Sequence, residues 1–357
     1  MSENEKPLSN IALAGEFDKG SGIFHLPRRV ERYGSAKSRQ VEILTHVKRF
    51  VQDAPTEAQN ANLHAIQHRI ATCGNYLVFN NYYTVDDVRL SKASFCMKHL
   101  LCPLCAIRRG ARQVQAYLEK FEVLRSSNSR LKPYMLTLTV KNGHDLEERF
   151  EHLSGSLRKL LARRRDSDRG KGTSELSKAL GGVFSYEFTH SEHGWHPHVH
   201  MVILCDESDP ISFNPKQAKK SAISKEWLAV TGDSFIVDVR PIEGDPAEGF
   251  IEVFKYALKF SDLSPQENLT AYLTLKARRL TGSFGLFWGV EVPETMTDDL
   301  LDELPYIEML YQYTQSGYSL RGTRERGHFG ERVPAVPLDN FPHKDVKHDA
   351  TQVQRSL

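Results

Sequence analysis

The chain has 357 residues, with 47 Lys and Arg against 45 Asp and Glu and a formal net charge of +2, so bulk charge alone selects no polyanionic partner. Hydrophobic residues at 40% and charged residues at 26% are the balance of a globular protein, long enough for one large domain or two ordinary ones. No apolar run reaches the roughly 18 residues of a membrane span, and the opening MSENEKPLSN lacks the apolar stretch of a secretory signal. These features predict a cytoplasmic protein without a membrane partner.

Taken in chain order, residues 1–36 are polar and predict a flexible arm. Val41, Ile43, Leu44, Val47 and Phe50 are spaced for a helix starting near Ser38, and a second helix follows over 57–71. A cysteine-bearing stretch comes next, then a helix over 110–126, which together make 37–126 a helical and metal-knuckle region. The period then changes. YMLTLTV (134–140) alternates as a strand, 144–165 reads as a long helix, and 181–190 and 196–205 are strands joined by a Ser-Glu-His-Gly hairpin turn. Residues 215–230 and 249–260 read as helices flanking a strand over 234–241. The sequence therefore predicts an α+β fold, with an antiparallel sheet and flanking helices over 127–292, a helical extension over 293–324 and a disordered tail over 325–357.

Five cysteines, Cys73, Cys96, Cys102, Cys105 and Cys205, are an odd number in a chain without a signal peptide, which points to ligands or core thiols over disulfides. FCMKHLLCPLCAIRR offers Cys96, His99, Cys102 and Cys105, with Cys73 upstream, and four such ligands suit tetrahedral Zn²⁺. Cys205, at a strand end, reads as a core thiol. Two stretches are locally basic. Lys92 to Arg112 holds five cations and no acid, and Gly155 to Gly172 holds seven cations against two acids. Such runs bind phosphate or simply form solvated helix faces.

GWHPHVHMVIL (194–204) is the most informative stretch. Strand alternation puts His196, His198 and His200 on one face and Val199, Met201 and Ile203 on the other, with same-face neighbours ~7 Å apart. Glu187 on the preceding strand shares that face if the hairpin pairs it with residue 198 or 200. A carboxylate beside two imidazoles suits Mg²⁺ or Mn²⁺ with open positions for substrate oxygens. In FIEVFKYALKF, Glu252 and Tyr256 are four apart, which on a helix stacks them on one face, and Lys255 and Lys259 flank the tyrosine.

Together these segments resemble the HUH endonucleases, named for two histidines around a hydrophobic residue, here His198-Val199-His200. The match is closer to the Rep_1-type rolling-circle initiators of bacterial plasmids. Leu136-Thr137-Leu138-Thr139 looks like that family's first strand motif, Glu187 with WHPHVH its metal motif, and Glu252-Val253-Phe254-Lys255-Tyr256 its catalytic helix. Conjugative relaxases place the tyrosine before the histidine pair, whereas Tyr256 follows it.

The resemblance implies a metal-dependent nuclease that nicks single-stranded or supercoiled origin DNA. Tyr256 would be the nucleophile, Glu252 the base that activates water, and Glu187, His198 and His200 the ligands of the catalytic ion, with His196 a possible fourth. Tyr272 has nothing in its sequence context to put it beside Glu252. The resemblance also implies a structural zinc on Cys73, Cys96, Cys102 and Cys105, with the fourth ligand open between Cys73 and His99. That zinc would position Arg108, Arg109 and Arg112 on phosphates, with Lys255 and Lys259 as further DNA contacts. Host helicase and polymerase are the implied partners. The alternatives are an HUH-type transposase or mobilisation nuclease, or a non-catalytic zinc-dependent DNA-binding protein.

Overall fold

In the structure, a computed structural model, the described residues are Ile23 and 25–326 apart from 53–56, 256–259, 261, 302–303 and 316; the side chains of 57–62 are also outside the description. Helix α1 spans Leu26–Gln52. It buries Leu26, Val30, Tyr33, Lys37, Gln40, Leu44, Val47 and Val51, a stripe that alternates steps of four and three. The flexible arm expected over 1–36 is therefore helical from Leu26, and residues 1–22 lie outside the described residues. Val41 and Phe50, expected on the apolar face, are exposed instead. Two polar residues occupy the buried stripe because they satisfy carbonyls at the end of α2 (Glu57–Thr72) and just beyond it. Lys37 Nζ donates to the Cys73 carbonyl at 2.5 Å, and the Gln40 amide donates to the Ile70 carbonyl.

Two antiparallel sheets follow. The four-stranded one has the order β2-β1-β8-β9, from β1 (Tyr76–Tyr82), β2 (Asp87–Ala93), β8 (Tyr306–Thr314) and β9 (Gly317–Arg326). The helical extension expected over 293–324 is thus overturned. Tyr306, Ile307, Tyr311 and Tyr313 are strand formers, and β8 is sandwiched between β1 and β9, where backbone pairing settles its conformation. Glu325 and Arg326, expected in the tail, close β9; residues 327–357 lie outside the described residues.

The five-stranded sheet has the order β6-β3-β5-β4-β7, from β3 (Leu131–Thr139), β4 (Ala179–Ser191), β5 (Gly194–Asp206), β6 (Val237–Pro241) and β7 (Thr281–Gly285). All these strands fall inside the expected 127–292 segment. The β4–β5 hairpin turns on Glu192 and His193, with Ser191 opposite Gly194. Gly194 sits at φ +85, and a Cβ there would meet the Gly143 carbonyl oxygen at 2.5 Å, so no other residue fits.

Strand alternation gives this sheet two apolar faces. On one, Met135, Val183, Val202 and Leu204 pack against α3 (Pro103–Ser127) and α6 (Ala247–Phe254) through Tyr117, Phe121, Phe250 and Phe254. On the other, Leu138, Val199, Met201 and Ile203 meet Leu153 and Leu157 of α4 (Leu146–Asp168) and Trp227 of α5 (Ala222–Thr231). The helix expected over 215–230 is broken, since Gln217 is non-helical and Ser221 caps a fresh start. A helix with no sequence expectation, α7 (Pro265–Leu275), begins with a capping box between Ser264 and Glu267.

One buried ion cluster ties α1, α3 and the loop before β8 together. Asp298 accepts from Arg108 Nη2 at 2.5 Å and Arg29 Nη2 at 2.8 Å, and also from the Leu90 amide at 2.6 Å. Burial works against the Asp298 carboxylate, but Arg108 and Arg29 outweigh it and hold its pKa well below the usual range. Its contribution to stability is present above the unfolded pKa and is lost as pH falls through the depressed folded value. Asp298→Ala strands the fully buried Arg108 guanidinium and is expected to destabilise the fold by about 3–5 kcal/mol. Urea denaturation measures this, and a loss under about 1 kcal/mol would show the cluster to be dispensable.

Candidate functional site

The register of the hairpin assembles the first group. Glu187 lies opposite His198, and Ser185 opposite His200, so all four point to the α3/α6 face. His200 Nε2 is 2.6 Å and His198 Nε2 3.2 Å from the same Glu187 oxygen, and the potential ligand atoms of the three residues lie within 4.8 Å of one another. Glu187 is only 1% exposed. Burial alone would raise its pKa, yet the close imidazoles of His198 and His200 hold it well below the ordinary carboxylate range. Thr137 on β3, opposite His200, brings its hydroxyl to 3.3 Å from His200 Nδ1. When Nδ1 carries the proton and donates to Thr137, the Nε2 lone pair is free for a metal. A carboxylate and two imidazoles, anchored on paired strands, are a fitting donor set for a divalent ion. His196 is one step further along the face, its ring 5.2 Å from that of His198, and stands outside the three-residue group.

Helix α6 delivers the next residues. Ser185 Oγ donates to the Val253 carbonyl and pins the end of α6 to β4. The helix expected over 249–260 stops at Phe254, because Lys255 leaves the helical region at φ −55, ψ 157 and turns inward. Its ammonium bonds Glu252 and lies 3.8 Å from Glu187, with Lys255 buried. Lys255, expected as a DNA contact, is therefore a buried link between two carboxylates at the side of the cleft. Tyr256 and Lys259, and with them the expected stacking of Tyr256 on Glu252, lie outside the described residues. Tyr272 is buried in α7 within the core that holds the cysteines.

The cysteine segment forms a second group. Cys73 Sγ is 3.7 Å from Cys102 Sγ and 3.6 Å from Cys105 Sγ, and Cys96 Sγ is 3.5 Å from Cys105 Sγ. A tetrahedral site with bonds of about 2.3 Å sets its sulfurs about 3.8 Å apart, so the four buried thiols have the spacing of a thiolate cage. Cys73 completes the four. His99 instead lines a cleft with Arg109, Lys255, Lys276, Arg278 and Arg279. Cys102-Pro103-Leu104-Cys105 makes the first turn of α3, with Cys102 as N-cap and Pro103 next. Cys205 is a core thiol, pushed up to about 11 by burial.

Two expected phosphate contacts face the wrong way. Arg108 is 1% exposed and committed to Asp298, the Tyr33 hydroxyl and the Met296 carbonyl, and Arg112 is buried against Asp299. A basic run on a buried helix supplies structural cations, and sequence alone does not mark which ones have an acid waiting. Arg109 keeps a partly exposed position, donating to the Pro293 carbonyl. The sequence reading missed Thr137 as a histidine partner and the cations Lys276, Arg278 and Arg279. Three cations within four residues ahead of a strand were the available signal.

The sequence matches the Rep_1 family, described as Replication protein, over residues 87–316. A "Protein rep" of Streptococcus pneumoniae serotype 2 (strain D39 / NCTC 7466) is 27% identical over 232 residues, covering 61% of this chain and 69% of the relative. A "Protein rep" of Lentilactobacillus hilgardii is 26% identical over 181 residues, 49% of this chain and 52% of the relative. Another, of Lactiplantibacillus plantarum, is 27% identical over 177 residues, 49% of this chain and 51% of the relative. The chain thus spans about half the length of these last two relatives. No solved structure matches.

The cage geometry separates its ligands from their neighbour. Cys105→Ser is expected to lose the bound metal and yield poorly soluble protein, since such a site contributes folding energy, whereas His99→Ala should keep the metal. Elemental analysis of the purified variants checks both, and metal loss in His99→Ala alone would reverse the assignment.

Proposed function

Because the chain belongs to the Rep_1 family of replication proteins, we propose that it initiates plasmid rolling-circle replication by nicking one strand of the origin through Tyr256. The convergence of Glu187, His198 and His200 carries this reading. A divalent ion on these three, Mg²⁺ or Mn²⁺, would polarise and orient the scissile phosphate as a Lewis acid. Thr137 holds the His200 ring so that Nε2 faces the site, and Ser185 fixes α6 against β4 so that Glu252 and Lys255 border it. The Tyr256 oxygen attacks phosphorus to form a 5′-phosphotyrosine and release a 3′-hydroxyl that primes synthesis. The Glu252 carboxylate takes a proton from water in the hydrolysis that ends a round. The Lys255 ammonium, between Glu252 and Glu187, offsets the negative charge that the strand brings.

Zn²⁺ on Cys73, Cys96, Cys102 and Cys105 has a structural role, bracing the start of α3. The partners are single-stranded or supercoiled origin DNA and, for strand opening and synthesis, a host helicase and polymerase. Such work takes place in the bacterial cytoplasm, and no described helix is long and apolar enough to cross a membrane. The relatives' shared name, "Protein rep", favours replication over transposition or mobilisation.

Tyr256→Phe is expected to abolish nicking and the covalent DNA adduct while origin binding persists. Gel analysis of a labelled origin oligonucleotide reads both, and an adduct on another residue would overturn the nucleophile. Glu252→Ala should still nick through Tyr256 yet lose about 10²–10⁴-fold in the hydrolytic step, so that strands longer than one unit accumulate. Equal loss in both steps would make Glu252 a residue that orients Lys255 or the metal ligands and not the base.

A further inference from the structure

The basic run of α4, which the nicking chemistry leaves unused, lines a groove of about 750 Å³ between α4 and the edge strand β7. Phe184 and Tyr186 on its floor lie on the sheet face opposite Ser185 and Glu187, so the groove is separate from the metal group. Arg158 and Arg165 stand exposed on its helical wall with no ion-pair partner among the described residues. Arg279, which donates to the Thr281 carbonyl, faces them from the start of β7. Glu151, the groove's acid, is taken up by Arg278 at 2.7 Å. The cationic surplus is therefore unspent.

Aromatic rings share this groove. Trp288 is 72% exposed, whereas Trp195 and Trp227 are buried. The Arg164 guanidinium stacks 4.9 Å from the centroid of Phe284, fixing that ring, and Arg164 is itself tied to Asp168 and the Ala179 carbonyl. An exposed indole costs solubility without contributing to the core, and here it sits beside cations placed for phosphate. Rings that offer a π-face together with arginines that track a backbone form the chemistry that holds unpaired bases. A duplex keeps its bases stacked inside and cannot use Trp288 in this way.

The groove also leads somewhere. Arg278, Arg279 and Thr281 line both it and the smaller cleft that holds Ser185, Lys255, Arg109 and Lys276. A cationic path therefore passes round the β7 edge of the sheet from one face to the other. We propose that Arg158, Arg165, Arg279 and Trp288 form a second, sequence-tolerant subsite for single-stranded DNA, which grips the strand flanking the one at the metal group. This rests on the reading that the chain handles an unpaired origin strand.

The test uses the full chain and a short labelled oligo(dT) without origin sequence, with binding read by anisotropy across a salt series. Wild type should bind and its tryptophan emission should be quenched. Trp288→Ala should weaken binding about ten-fold or more, and Arg158→Ala with Arg165→Ala should lower the salt slope by about 1.4, at about 0.7 per cation. These exposed residues leave the fold intact, and a minimal origin oligonucleotide, too short to reach the groove, should be nicked at the wild-type rate by both variants. Wild-type affinity and slope in both variants, or duplex competing as well as single strand, would overturn the subsite. If wild type fails to nick while oligo(dT) binding still falls in the variants, the nuclease reading fails and the subsite stands.

Discussion

Everything at the metal group depends on the pairing of Glu187 with His198. In an antiparallel hairpin a slip of one residue turns every side chain to the other face. Glu187 would then enter the apolar layer beneath α4, where Phe150 packs edge to face with Tyr186 and tilted against Phe188. A carboxylate there would be without either imidazole, at a penalty of several kcal/mol. The register is thus held from two directions. The two-residue turn before Gly194 fixes it locally, and the meeting of one buried acid with His198 and His200 fixes it from the middle of the strands. Folding and site assembly are one event in this hairpin.

Helix α3 connects that sheet to the other half of the molecule. Its first turn provides two thiols of the cage, its middle commits Arg108 to Asp298, and Val114, Tyr117 and Phe121 pack on the five-stranded sheet. Polar anchors of the same kind seat α1, where Lys37 and Gln40 answer carbonyls at and beyond the end of α2. These groups contribute less to net stability than apolar burial does, but each has one geometry that satisfies it, so they specify the arrangement. The cage and the metal group are therefore referred to a common rigid element.

Chemistry carried by alternation or close spacing was legible in the sequence. WHPHVH announced a strand face, and the α+β class with its long hairpin followed from period and turn residues. The Cys96 to Cys105 segment announced a cage, although only the fold could choose Cys73 over His99. What stayed hidden depends on partners distant in the chain. The first three turns of α1, which end at Lys37, read as a polar arm, because a buried polar residue reads as a surface one until its carbonyl is known. Arg108 and Arg112 read as phosphate contacts because Asp298 and Asp299 lie far along the chain. The strands β8 and β9 read as helical because nothing nearby reveals that β1 is waiting for them. The end of α6 at Phe254 follows from Lys255 turning toward Glu187, again a long-range attraction.

The pairing of β1 with β8 has a consequence for biogenesis. Leu77 meets Tyr311, and all five strands of the other sheet are synthesised between them. As the chain leaves the ribosome, the five-stranded sheet can close while β1 and β2 still wait, with one long edge open, for the strand that will lie beside β1. Such an edge is a template for pairing with another nascent chain. Loading of the thiolate cage, whose ligands are all made before β3, would hold this early segment in shape through that interval. If the cage takes up a metal, its supply during translation would then set how much folded protein a cell obtains, apart from any effect on the finished chain.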